Sequence, residues 1–325
     1  MKDSLGRNIE YMRISITDRC NLRCRYCMPE EGIEKISMSQ ILTFEEIGRI
    51  CKQAVQLGIT RFKITGGEPL VRRGCPDLIR MIGEIHGVEQ VTLTTNGQLL
   101  GQYLDELVDA GLDGVNVSLD SLDGDRYRMI TRGGELGPVL GSIDKAAARG
   151  IRTKVNCLLQ EGINEDELMD FANMAFDKGI DVRFIETMPV GFADAEIGMS
   201  NEEALLLLQR QWPELSPDNS VHGNGPAVYY HIPGRAGAIG FISPLHGKFC
   251  NQCNRIRLTS TGMLKPCLCY DESIDIRKAL EESGKTGSDQ TLRDAVASCV
   301  MAKPADHCFL ERERSEGDPM VEIGG

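Results

Sequence analysis

The stretch "DRCNLRCRYCMPEEG" (residues 18–32) carries Cys20, Cys24 and Cys27 at C-x3-C-x2-C spacing, directly after an apolar, β-prone run at residues 12–17. On a helix the three would share one face, so a stripe of small buried cysteines is the plain reading. The neighbours oppose it. Arg19, Asn21, Arg23 and Arg25 are polar, Pro29 breaks a helix, and a loop that follows a strand is where an α/β fold places its ligands. Zinc is a second reading, but structural zinc takes four ligands and no further Cys or His stands nearby in sequence. Three thiolates on a four-iron cluster leave one iron open to a ligand, whereas four suit plain electron transfer. The spacing favours the iron–sulfur site.

Outward from this loop, β-prone runs recur at intervals of very roughly 30 residues: 12–17, 61–65, 91–95, 114–119, 152–158 and 182–186. Helix-like stretches lie between them at 43–57, 76–86, 99–110, 139–149 and 165–178. Thr43 with Glu46 forms a capping-box pattern, and Gly58, Gly111, Gly150 and Gly179 follow helix ends. Six βα units predict an α/β fold: a parallel sheet with helices outside, as a partial barrel or a doubly wound sheet, with ligands at the carboxyl ends of the strands.

The rhythm stops near Pro189. A Gly- and Pro-rich region (213–244) leads to short strands (227–232, 238–242), a hairpin (255–259, 263–266) and two helices (274–282, 291–301). The expected division is a barrel over residues 1–225 and an accessory α+β segment over 226–325. Composition makes the charged tail at 311–325 disordered.

At 325 residues the chain can bury a full core without crosslinks, so its twelve cysteines read as thiols or metal ligands. Its apolar runs, such as 204–208, are far shorter than the ~20 residues of a membrane span, and residues 1–10 are charged. A cytoplasmic protein is expected. The net charge of −12 argues against a general nucleic-acid or membrane surface but leaves room for a small anionic ligand held by a few local cations.

A second cluster, "FCNQCNRIRLTSTGMLKPCLCY" (residues 249–270), holds Cys250, Cys253 and Cys267, with Cys269 two residues on. Four-cysteine zinc and an iron–sulfur site are both open on spacing alone. Arg255 and Arg257 alternate on one strand and so point the same way, which suits phosphate recognition. Arg13 and Lys63 are charges inside apolar strands and Lys154 opens another; each either snorkels at a strand end or meets an anion.

The first motif, with Tyr26 before its last cysteine, resembles the signature of the radical S-adenosylmethionine (SAM) superfamily, and "TGGEPL" (65–70) resembles its glycine-rich loop. Together with "LTTNG", "VNVSLDSLD", "KVN", "RFIETMPVG", the second cysteine segment and the terminal "IGG", the chain is similar throughout to the GTP 3′,8-cyclase family, which opens molybdenum cofactor biosynthesis. The resemblance implies a six-stranded partial barrel. It implies two 4Fe-4S clusters, on Cys20, Cys24 and Cys27 and on Cys250, Cys253 and Cys267, with Cys269 not a ligand. Tyr26, Gly67, Ser118 and Met188 would contact SAM. Arg13, Lys63, Thr94, Lys154 and the segment Arg255, Ile256 and Arg257 would surround GTP, with Arg257 and the tail residues Gly324 and Gly325 serving the reaction.

Implied partners are a flavodoxin- or ferredoxin-type electron donor and a downstream cyclic pyranopterin monophosphate synthase; monomer and homodimer both stay open. The alternatives are a radical SAM peptide or protein maturase with an auxiliary cluster, and an iron–sulfur or zinc sensor without chemistry.

Overall fold

The computed structural model describes residues 1–34, 36–190, 199–309 and 320–323. The six β-prone runs form β1 (Tyr11–Ser15), β2 (Arg61–Thr65), β3 (Gln90–Thr95), β4 (Gly114–Ser118), β5 (Arg152–Leu158) and β6 (Asp181–Ile185), paired in parallel in chain order. Parallel neighbours need crossover connections. These are α1 (Phe44–Gln56), α2 (Cys75–Gly83), α3 (Leu100–Asp109), α4 (Gly124–Thr131) with α5 (Leu136–Ala148), and α6 (Leu168–Lys178). The Thr43 capping box forms: Thr43 Oγ1 accepts from the Glu46 N–H at 3.2 Å and the Glu46 carboxylate accepts from the Thr43 N–H at 2.7 Å.

The later segment does not build a separate sheet. Of β7 (Ser216–Asp218), β8 (Val228–His231), β9 (Ala238–Ile242), β10 (Arg255–Leu258), β11 (Met263–Lys265) and β12 (Ile274–Asp275), β9 pairs in parallel with β6 and β10 with β1. The rest add antiparallel, giving the order β12-β11-β10-β1-β2-β3-β4-β5-β6-β9-β8-β7. With β12 and β7 as its edges the sheet is an open, partial barrel.

Residue alternation gives the sheet two different faces. Met12, Ile14, Phe62, Ile64, Val182 and Phe184 are fully buried in the core between sheet and helices. The intervening residues, among them Arg13, Lys63, Thr94, Lys154 and Arg183, line a shared internal space, so the sheet must curve around it. A parallel sheet packed by protein on both faces would be apolar on both. The polar inner face therefore marks a ligand chamber.

Helix α7 (Asn201–Gln211) follows a Ser200–Glu203 capping box, and α8 (Ile276–Thr286) and α9 (Gln290–Met301) are the two expected late helices. The described residues of the tail depart from its composition: Met320–Ile323 form α10, with Val321 and Ile323 buried. Ile323 packs in a satellite core with Val190, Cys269, Cys308 and Phe309, and this apolar burial offsets the cost of ordering the turn. Gly324 and Gly325 lie outside the described residues.

Phe184 is fully buried on the helix side of β6, its ring 6.2 Å from Phe171 edge-on and 5.9 Å from Phe241. Phe184→Ala should cost about 3–5 kcal/mol, read as a lower urea midpoint with unchanged slope. An unchanged midpoint would show that this layer does not hold the sheet.

Candidate active site

The first cysteine loop leaves β1 and is clamped by the glycine turn after β2. The Gly67 N–H donates to the Thr17 carbonyl at 2.7 Å and the Glu68 N–H to the Arg19 carbonyl at 2.8 Å. A Cβ at Gly67 would stand 2.5 Å from the Arg19 carbonyl oxygen, so glycine is required by the loop backbone itself. The Glu68 carboxylate accepts from the Thr95 hydroxyl (2.8 Å) and the N–H groups of Asn96 (2.7 Å) and Leu70 (3.0 Å), tying the ends of β2 and β3. Burial pushes its pKa up to about 7 against those hydrogen bonds.

Tyr26 donates its hydroxyl to Asp120 Oδ2 at 2.8 Å, while Asp120 Oδ1 accepts from the Leu158 N–H at 2.8 Å. The cysteine loop is thereby fixed to β4 and β5 as well. Burial raises the Cys20 thiol to about 11, Cys27 to about 12 and Cys24 well above its ordinary value. A bound metal would offset that burial and take the thiolate form. Cys20, Cys24 and Cys27 line one cavity wall with open space before them, and three thiolates there suit a cluster whose irons are ligated separately, with one iron left open.

The second set sits at the other end of the strands. Arg255 pairs with Tyr11 at the start of β1, so Cys250 and Cys253 precede β10 at the amino end of the sheet, and β11 runs back to deliver Cys267 there. Candidate ligand residues thus occupy both ends of the strands, because this segment joins β1 in parallel after its cysteines rather than before them. The five-residue β1 separates the two sets by roughly 16 Å. Both line one cavity of about 340 Å³, together with Tyr26, Gly67, Ser118, Met188, Arg255 and Arg257.

Cys269 turns away from this cavity into the satellite core, its sulfur 2.6 Å from that of Cys308, so a four-cysteine zinc ribbon does not assemble. Burial raises Cys250 to about 11. At Cys253 burial also acts upward, but the Arg255 and Lys303 charges outweigh it and bring the thiol to about 7.

Between the two ends stands a row of cations. Strand register sets Lys265, Arg257, Arg13 and Lys63 side by side on β11, β10, β1 and β2. An adjoining cavity of about 380 Å³ is lined by Arg13, Lys63, Thr94, Lys154, Arg183 and Arg255, and shares Arg13, Thr94 and Arg255 with the first. Burial, then the charges of Arg183, Arg13, Lys154 and Arg255, hold the Lys63 pKa well below the usual lysine range. Arg13 is lowered to about 10, chiefly by burial. Lys154 is lowered to about 8: burial and Arg183 outweigh Asp181, whose Oδ2 lies 2.7 Å from the ammonium. Tyr229 also accepts from Lys154, at 3.0 Å. A polyanion in these cavities would relieve this mutual repulsion.

Of the residues singled out in the sequence, Ile256 differs: its side chain lies in the core, and only its backbone belongs to the inner strand. Arg183 and Asp120 escaped the sequence reading. Arg183 had the signal that marked Arg13, a charge inside an apolar run; Asp120 had none, because its role depends on where Tyr26 folds.

Residues 14–175 match the Radical SAM superfamily model and residues 180–309 the Molybdenum Cofactor Synthesis C model. A GTP 3′,8-cyclase of Alkaliphilus oremlandii (strain OhILAs) is 45% identical over the whole of both chains. One of Clostridium perfringens (strain SM101 / Type A) is 43% identical, again over 100% of each. The chain belongs to the GTP 3′,8-cyclase family. Its fold also resembles Streptococcus suis SuiB bound to precursor peptide SuiA, with a TM-score of 0.62 at 13% identity over 80% of this chain and 60% of that one.

If the second set excludes Cys269, anaerobically reconstituted Cys253→Ala protein should fall from about eight irons per chain to about four, while Cys269→Ala keeps about eight. Equal iron loss in both variants would place Cys269 among the ligands.

Proposed function

We propose that the protein is a radical SAM GTP 3′,8-cyclase, converting GTP to (8S)-3′,8-cyclo-7,8-dihydroguanosine 5′-triphosphate. The observation that carries this reading is the placing of two three-cysteine sets at opposite ends of one cavity with buried cations between them. Cys20, Cys24 and Cys27 would hold one 4Fe-4S cluster, and Cys250, Cys253 and Cys267 the other. With SAM bound, the first cluster would supply a 5′-deoxyadenosyl radical able to take hydrogen from C3′ of the ribose; C3′ then bonds to C8 of guanine, and in the late steps the base radical left by that bond takes up one electron, drawn from the external donor, and one proton.

The protein's own part is positional. Gly67, Ser118, Met188 and Tyr26 would seat SAM, Tyr26 being held by Asp120. Arg13, Lys63, Thr94, Lys154 and Arg183 would grip the triphosphate, and the segment Arg255, Ile256 and Arg257 would orient the base toward the second cluster. Leu22, Val190 and Phe309 on the cavity wall would exclude water. Val321 lies on the same wall, and Gly324 and Gly325, three and four residues further on, would serve the reaction. Among the described residues no helix is long and apolar enough to cross a membrane. A cytoplasmic setting, a flavodoxin- or ferredoxin-type donor and a downstream cyclic pyranopterin monophosphate synthase complete the reading.

Reconstituted protein incubated anaerobically with SAM, dithionite and GTP should form 5′-deoxyadenosine and a cyclised nucleotide, both dependent on GTP. Deoxyadenosine formed equally without GTP, and no cyclised product, would remove the substrate. Arg257→Ala should retain SAM cleavage and lose cyclised product; undiminished product would refute a role for Arg257 in the late steps.

GTP affinity should also fall as pH rises through about 8. Free Lys154 titrates there, and a bound triphosphate favours its charged form, so binding above that pH takes up a proton. Calorimetry in buffers of different ionisation enthalpy reads the uptake, and Lys154→Arg should reduce it, leaving only the share of Lys63, whose pKa is also lowered; uptake unchanged in that variant would contradict the assignment.

A further inference from the structure

Lys303 follows α9, is 5% exposed and lines the wall of the main cavity. Its ammonium donates to the carbonyl oxygens of Arg255 and Pro266, each at 2.8 Å. Arg255 lies two residues after Cys253, and Pro266 immediately precedes Cys267. One side chain therefore ties together the two backbone segments that carry these cysteines. An ammonium has three donors and no acceptor. Two go to the carbonyls, and the charge of the group is among those that lower the Cys253 thiol.

The backbone of Lys303 is held just as closely. Arg7, itself paired with Asp3 at 2.6 Å, donates to the carbonyls of Cys250 (2.8 Å), Lys303 (3.2 Å) and Pro304 (2.7 Å). All three cysteine segments are thus braced to residues 303–304: Cys250 through Arg7, Cys253 and Cys267 through the ammonium. Among the described residues no carboxylate pairs with Lys303. A buried cation without an acid needs another source of negative charge. Thiolates of an iron–sulfur cluster are that source, and the placement of the ammonium would favour the more negative, reduced state.

We propose that Lys303 is a positioning residue for the second cluster, fixing the Cys253 and Cys267 segments and raising the cluster's reduction potential by its fixed charge. The inference rests on Cys250, Cys253 and Cys267 carrying that cluster. Removing the charge lowers the potential, because the extra electron of the reduced state loses a nearby cation. Keeping the charge in another side chain restores most of it.

The test is a redox titration of full-chain, anaerobically reconstituted protein followed by electron paramagnetic resonance, with iron counted in parallel. The signal that SAM perturbs reports the first cluster and serves as the folding control; the SAM-insensitive signal reports the second. In Lys303→Met the SAM-insensitive midpoint should shift to more negative potential, or that signal should be lost with about four of about eight irons, while the first signal persists. Lys303→Arg should recover either loss. If Lys303→Met does not fold, Lys303→Gln takes its place.

A neutral variant with about eight irons and the parent midpoint would overturn the proposal, as would an arginine variant no better than the neutral one. About four irons in the parent protein would instead sink the two-cluster reading beneath it.

Discussion

The parallel pairing of β10 alongside β1 is the constraint on which the site depends. It joins a segment near the end of the chain to its first strand, and it brings Cys250 and Cys253 into the cavity that Cys20, Cys24 and Cys27 enter from the other side. The pairing also sets Arg257 against Arg13, which is unfavourable on that face. The opposite face compensates: Met12, Ile14, Ile256 and Leu258 are completely buried, and each such side chain contributes about 1.5–3 kcal/mol. The apolar face of the sheet thus holds in place a cationic face that would not assemble by itself.

That arrangement stores its cost where a ligand can use it. Burial and mutual repulsion lower Arg13, Lys63, Lys154 and Arg257, so a bound polyanion gains from four groups already in position. At the carboxyl ends of the strands a different economy of contacts prevails: Glu68, Asp120 and the close approach of Gly67 to Arg19 lock a cysteine loop against four strands. Rigid loops at one end and prepositioned charge in the middle suit chemistry in which geometry does most of the selecting.

Much of this was legible in the sequence. The six parallel strands, the Thr43 capping box, the C-terminal hairpin and the two late helices follow from period, turn residues and caps. So does the inward pointing of Arg13 and Lys63, since a charge within an apolar strand has few places to go. What stayed hidden was long-range. The residues that become β9 and β10 look like parts of an accessory segment, and nothing local says that they extend the first sheet at both ends. Helix α4 is short and polar, with only its Asp123 cap as a signal. Helix α7 was announced by Ser200 and Glu203 and could have been read. The order in Met320–Ile323 depends on a satellite core whose members come from four separate parts of the chain.

The central claim is that the cavity holds the ribose of GTP against the carbon that receives its hydrogen. Incubating the reconstituted protein with SAM, dithionite and GTP deuterated only at C3′, then weighing the 5′-deoxyadenosine by mass spectrometry, tests it directly. One deuterium transferred per molecule of product is the predicted result; unlabelled deoxyadenosine alongside cyclised nucleotide would contradict it.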